Sequence, residues 1–150
     1  MIHSLGAAHA EEVHASLGEL ILPDAGPAVT LQFYTVSALL QIYGPLSFGI
    51  WHDSQLGGIC MNLPLLSREG AFVFLFGIRP DLRSQGIGTK LFEESSSRLK
   101  DKGYQEICLR VLRLNGPAIS FWQKMGFIEK DAPDLEKAGQ FAEAYMELGL

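Results

Sequence analysis

Arg83-Ser84-Gln85-Gly86-Ile87-Gly88 stands directly between a strongly apolar run, residues 71–78, and a helix-forming stretch, residues 89–100. A strand that turns into a helix through two glycines is suited to holding an anion. Glycine at positions 86 and 88 lets the backbone turn sharply and puts no Cβ in the way of a ligand, while the first-turn N–H groups of the helix point outward from its positive dipole end. N–H groups from Gln85 to Thr89 are therefore available to a ligand with several anionic oxygens. Arg83 adds a fixed positive charge on the approach, which suits a pyrophosphate better than an uncharged group.

Spacing separates the classes of phosphate ligand. A dinucleotide fingerprint, G-x-G-x-x-G, requires a third glycine, and Leu91 occupies that place. The nucleoside-triphosphate loop, G-x-x-x-x-G-K-[ST], requires Lys directly after the last glycine, but Thr89 intervenes before Lys90 and no glycine stands five residues before Gly88. A nucleotide-binding α/β domain therefore fails on spacing.

The pattern that is left, Arg-x-x-Gly-x-Gly after a strand ending at Ile78, resembles the acetyl-CoA pyrophosphate loop of the GNAT superfamily of N-acetyltransferases. A second segment strengthens the resemblance. Asn115-Gly116-Pro117-Ala118-Ile119-Ser120-Phe121-Trp122-Gln123-Lys124-Met125-Gly126-Phe127 is similar to the later GNAT motif Asn-x-x-Ala-x-x-Phe-Tyr-x-x-x-Gly-Phe, with Trp122 where the family usually has Tyr. The resemblance covers residues 55–130.

It implies an acetyl-CoA-dependent enzyme that transfers acetyl directly to a primary amine of a small molecule or peptide, without a metal. It also implies the residues that would meet the cofactor: Phe76 and Ile78 along the strand edge, Arg83, Ser84, Gln85, Gly86, Ile87, Gly88 and Thr89 in the loop, and Asn115, Ala118, Phe121 and Trp122 in the second motif. The backbone N–H at Ile78 would face the thioester oxygen. A homodimer is compatible with the family.

Two features depart from that pattern. An indole at position 122 donates a hydrogen bond but is no acid at neutral pH, so the thiolate leaves unaided, Tyr145 serves as the acid, or turnover is lost. The central strand also carries Phe72, Phe74 and Phe76 and no carboxylate, so no base can be named there. Glu69 reads as a turn residue, and His52 and Asp53 as solvated hairpin residues. A phenylalanine-rich strand can favour the neutral amine by desolvation. These departures keep a second class open, a non-catalytic acyl-CoA-binding module.

Composition bounds the rest. A chain of 150 residues with 47% hydrophobic and 19% charged residues is expected to form one domain, residues 1–150, with an ordinary core. The net charge of -5 disfavours nucleic acid, which needs a basic face, and suits a cationic partner such as an amine. Neither a membrane-length apolar run nor a secretory pattern is visible, which reads as cytoplasmic. Cys60 and Cys108 sit in apolar segments and read as buried free thiols. His9 and His14 are five apart, about 140° around a helix, which does not suit zinc.

Patterning along the chain predicts a strand over 1–5, a helix over 7–20, a break at 23–27 and an ambiguous helical stretch over 29–43. Strands at 46–51 and 56–63 flank a turn at residues 52–55. Residues 71–78 read as a central strand covered on both faces, followed by a helix capped at Gly103, a strand over 106–112, and a helix from Asn115 to a stop at Gly126. Strands over 127–129 and 144–148 follow a charged loop over 130–140. The expected fold is α/β, a GNAT-like mixed sheet of six or seven strands flanked by about four helices, with its central parallel strands splayed.

Overall fold

The computed structural model describes residues 1–21, 28–66, 68–131 and 143–150, and the side chains among them outside 17–21 and 28–35. The break at 23–27 and most of the connection over 130–140 lie outside the described residues. The elements run β1 (Ile2–Ser4), α1 (Ala10–Ile21), α2 (Ala28–Tyr43), β2 (Phe48–His52), β3 (Gln55–Pro64), β4 (Gly70–Ile78), α3 (Ile87–Asp101), β5 (Glu106–Leu112), α4 (Gly116–Lys124), β6 (Ile128–Lys130) and β7 (Glu143–Gly149). The ambiguous stretch over 29–43 is helical.

Local chemistry sets the boundaries. Asp53 and Ser54, at φ 49° and 62°, make the two-residue turn between β2 and β3, a left-handed geometry that matches strand twist. Both α3 and α4 end in the same device. At the first, the Gly103 N–H bonds the Lys100 carbonyl and the Tyr104 N–H reaches Leu99; at the second, Gly126 bonds Gln123 and Phe127 reaches Trp122. Gly103 and Gly126 take the positive φ that such a stop requires, 94° and 99°. The second stop also brings the Phe127 ring to 5.2 Å from Trp122.

Among the described residues seven strands form one sheet, in the order β1-β2-β3-β4-β5-β7-β6. Every pairing is antiparallel except β4 with β5. That parallel seam is short: Gly70 faces Glu106, Ala71 faces Ile107, Phe72 faces Cys108, and beyond them the strands part. The expected splay is therefore present.

Strand β4 also departs from simple alternation. Asn62 pairs with Val73 and Met61 with Leu75, which leaves Phe74 as an extra residue, a β-bulge. Before the bulge Ala71 and Val73 enter the core beneath α3 and α4; after it Phe76 and Ile78 do. The three phenylalanines therefore do not share a face. Phe74 is 42% exposed, so the strand is not covered on both faces along its whole length, contrary to the sequence expectation.

Two cores result. One joins β2–β5 and β7 to Leu91, Phe92 and Leu99 of α3 and Trp122 of α4. The other sets Val13 of α1 and Val36 and Leu40 of α2 against Leu56, Ile59 and Met61 of β3, on the opposite face. Ser95, buried on the inner side of α3, satisfies its hydroxyl on the Leu91 carbonyl at 2.6 Å. Cys60 and Cys108 are buried free thiols, and burial pushes the Cys60 thiol up to about 11.

Candidate functional site

Where β4 and β5 separate, a cavity of about 590 Å³ opens between the end of β4, the turn after it and the start of α4. Three elements build it. From β4 come Phe76, Gly77 and Ile78; from the turn and first turn of α3 come Leu82, Arg83, Ser84, Gly86, Gly88 and Thr89; from the start of α4 come Asn115, Pro117, Ala118, Phe121 and Trp122. The two sequence motifs, some thirty residues apart, thus meet across one opening.

The turn is shaped for an acceptor of hydrogen bonds. Ser84 and Gly86 both adopt left-handed φ, 63° and 78°. Gly86 is the N-cap of α3 and offers no side-chain cap, and helix geometry leaves the N–H groups of Ile87, Gly88 and Thr89 without intrahelical partners. A Cβ on Gly86 would meet nothing within 4 Å. The space beside that backbone is open, as a polyanion would require.

Charged and polar side chains pin the turn from outside. Arg79 grips Asp81 through two bonds, 2.6 and 3.0 Å, and also reaches Gln55 of β3 at 3.2 Å. Its guanidinium holds the Asp81 carboxyl below the usual range. Gln85 donates to the Asp81 carbonyl at 3.2 Å, so its side chain braces the turn. Gln85 and Ile87 do not line the cavity, whereas Leu82, Gly77 and Pro117, which sequence reasoning did not single out, do. Leu82 is a buried apolar residue in a polar turn; its 5% exposure marks it as the plug that seats the turn on the core.

The β4 edge that faces the cavity has lost its strand partner. Beyond Phe72 no described residue of β5 pairs with β4, leaving backbone groups as far as Ile78 open to a ligand that can pair with an extended chain. One is already engaged: Arg83 Nε donates to the Ile78 carbonyl at 3.0 Å. The side chains of Phe76 and Ile78 pack against the core, so only their backbone is free for such a role.

Asn115 acts as a helix cap, its Oδ1 accepting from the Ala118 N–H at 3.2 Å, and lines the cavity at the same time. Trp122 closes the inner end. Its ring stands 4.9 Å from Phe76, 4.8 Å from Phe121, 5.3 Å from Phe92 and 5.2 Å from Phe127, all near edge-to-face, and it is 6% exposed.

Tyr145 is not among the residues lining this cavity. Its neighbours Ala144 and Met146 enter the core beneath α4, so strand alternation sends Tyr145 to the other face. There its hydroxyl accepts from Arg68 at 2.6 Å and donates to Glu147 at 2.7 Å. Burial, helped by the Glu147 bond, raises its proton affinity, which opposes a role as an acid. Arg68 also pairs with Glu106, and Lys130 reaches Glu147 at 3.0 Å. His52 and Asp53 form an exposed pair on the hairpin, 3.5 Å apart. Among the described residues, no helix is long and apolar enough to cross a membrane, and no group of His, Cys, Asp or Glu is arranged to hold a metal.

Sequence comparison adds relatives to this geometry. The chain is 38% identical over 56 residues to N-alpha-acetyltransferase 30 of Schizosaccharomyces pombe, covering 37% of each chain. It is 26% identical over 84 residues to the [ribosomal protein bS18]-alanine N-acetyltransferase of Escherichia coli, covering 56% of this chain and 55% of that protein. These matches thus span about half or less of the curated relatives' length.

In three dimensions it superposes on the crystal structure of the Escherichia coli ribosomal-protein-S18-alanine enzyme with a TM-score of 0.76 at 20% identity, over 99% of this chain and 92% of that one. The PaiA N-acetyltransferase of Thermoplasma acidophilum, in complex with coenzyme A, gives 0.75 at 20% identity, over 100% and 98%. At such identities the likeness speaks for the fold. The sequence pattern of the acetyltransferase (GNAT) family matches residues 16–127, a span that takes in the strand, the turn and both helices around the cavity, and the chain belongs to that family.

Proposed function

We propose that the chain forms a single N-acetyltransferase domain, residues 1–150, that moves an acetyl group from acetyl-CoA directly to a primary amine, acting in the cytoplasm. The observation that carries this reading is the continuity of the cavity. An anion-binding first turn (Gly86 to Thr89) and an unpaired strand edge (Phe76 to Ile78) share one opening, matching a ligand with a pyrophosphate at one end and an amide-bearing arm at the other.

Within that reading Arg83, Ser84, Gly86, Gly88 and Thr89 hold the pyrophosphate, with Gln85 and Ile87 contributing through their backbone. The Ile78 N–H polarises the thioester carbonyl. Asn115 both caps α4 and contacts the bound molecule, while Ala118, Phe121 and Trp122 form the wall. Positioning and carbonyl polarisation together supply most of the rate such a site needs. The acceptor is an amine of a peptide or small molecule; the peptide option is favoured by relatives named for protein α-amine acetylation.

A second reading has its own observation. Trp122 is locked in an aromatic cluster at the place where the family usually has an acid, which favours a module that binds acyl-CoA without turning it over. Release of CoA thiol, measured across a panel of small amines and short peptides alongside calorimetric CoA binding, separates the two. Turnover supports the enzyme, binding without turnover supports the module, and absence of CoA binding overturns both.

A further inference from the structure

Acyl transfer needs the acceptor nitrogen freed of a proton, and β4 supplies no carboxylate to take it. The neighbouring strands do. Alternation along β5 and β7 buries Ile107, Leu109, Ala144 and Met146 beneath α3 and α4, so Glu106, Arg110 and Leu112 of β5 and Glu143, Tyr145 and Glu147 of β7 project from the opposite face. That face bears three carboxylates among the described residues.

Two of them are committed at the closed end of the seam. Glu106 pairs with Arg68, and Glu147 is held by Tyr145, Lys130 and Arg68. Glu143 lies at the other end, directly across from Leu112 in the β5–β7 register. Extending the seam's register, in which Phe72 meets Cys108, past the extra residue Phe74 brings Leu112 level with Gly77, where the strands have parted. Glu143 is therefore one strand away from the open part of the splay, half-buried, beside a Leu112 that is 58% exposed.

We propose that Glu143 is the general base of the transfer, taking a proton from the acceptor ammonium directly or through one water. The inference rests on the acetyltransferase reading above. The carboxylate accepts one proton from R–NH3⁺; the freed nitrogen lone pair forms the C–N bond to the acetyl carbon; the C–S bond breaks with its electron pair leaving on sulfur; the second nitrogen proton passes to the thiolate or to solvent. By register the charged and titratable groups nearest Glu143 are Arg110 on β5, Tyr145 two residues along its own strand and Lys130 on β6, whose amine is taken up by Glu147, while β4 carries no charged or titratable residue.

The test compares Glu143→Gln with wild type, using acetyl-CoA and an acceptor that wild type acetylates, with calorimetric CoA affinity and circular dichroism as controls. The expected loss in kcat/KM for the acceptor is about 100-fold with CoA affinity unchanged, and Glu143→Asp restores part of it. The pH profile moves as well: wild type reaches its plateau well below the acceptor's own pKa, whereas the glutamine variant climbs until the amine itself loses its proton, near pH 8 for an α-amine. A folded Glu143→Gln variant with the wild-type profile and rate overturns the inference and leaves the acetyltransferase reading standing. Wild type that binds CoA but acetylates no amine overturns both.

Discussion

Arg83 Nε donates to the Ile78 carbonyl at 3.0 Å, so the guanidinium beside the glycine turn is itself anchored to the last residue of β4. Charge and anchorage are joined in one side chain. Arg83→Ala is expected to weaken binding of intact CoA by about 10- to 100-fold and of a pantetheine fragment lacking the pyrophosphate far less, since a charge-assisted bond contributes roughly 1.5–3 kcal/mol. Calorimetry on the two ligands is the measurement. Equal losses would assign Arg83 to holding the strand end alone.

The glycines of the turn differ in what they tolerate. Gly86 sits at φ 78°, where a β-branched side chain is strained, so Gly86→Val is expected to lose both stability and CoA affinity. Gly88 is different. An added Cβ there meets Ile78 at 3.4 Å and Phe121 at 3.6 Å, ordinary contacts, so Gly88→Ala keeps its melting temperature while Gly88→Val extends into the cavity and weakens CoA binding strongly. A Gly88→Val variant that melts like wild type and binds CoA equally well would remove the turn from the site.

Trp122→Tyr exchanges an indole for a phenol that can give up a proton. Because four phenylalanine rings surround the position, the smaller ring is expected to cost roughly 1–2 kcal/mol of stability in urea denaturation. The single-turnover rate of acetyl transfer is expected to rise, a quantity to be measured apart from CoA release, since product release often limits turnover. An unchanged chemical step in stable protein would confine Trp122 to packing.

Glu147 gives a prediction in pH. The bond from Tyr145, then Lys130 and Arg68, hold its carboxyl below the usual range against the opposing effect of burial. A depressed folded-state value contributes stability that is present above the unfolded pKa and lost as pH falls through the folded one. Glu147→Gln is therefore expected to be about 1 kcal/mol less stable than wild type at pH 7, the difference shrinking as pH drops below about 4. Urea midpoints at pH 7, 5 and 3 check this; a constant difference would mean that the charge is not what matters.

Much of the architecture was readable because punctuation and period coincide in this chain. Gly103, Asn115 and Gly126 announced helix ends that the structure places within a residue or two, and the 71–78 run announced the central strand. The turn and the second helix were readable as one site only through their resemblance to a family. What escaped was decided by pairing. No local signal tells that Phe74 is the extra residue of a bulge, so three phenylalanines at every second position looked like one face. Leu82 escaped because its burial comes from the strand it rests on, and Tyr145 was drawn toward the site because a sequence does not show which face of a late strand will be covered.

The brief parallel seam between β4 and β5 also bears on the order in which the molecule assembles. Residues 48–78 can form a three-stranded meander from two neighbouring hairpins, contacts that are local in sequence and quick to make. Joining β5 must wait for all of α3 to be laid across the sheet, and that join then rests on three residue pairs. The opening between the strands is thus a late product of folding, absent from any early form in which only the meander exists. Pulse-labelled hydrogen exchange should find β2, β3 and β4 protected before β5, and simultaneous protection of all four would argue against this order. A nascent chain halted after Ile78 would possess a sheet, yet no place for a ligand to enter.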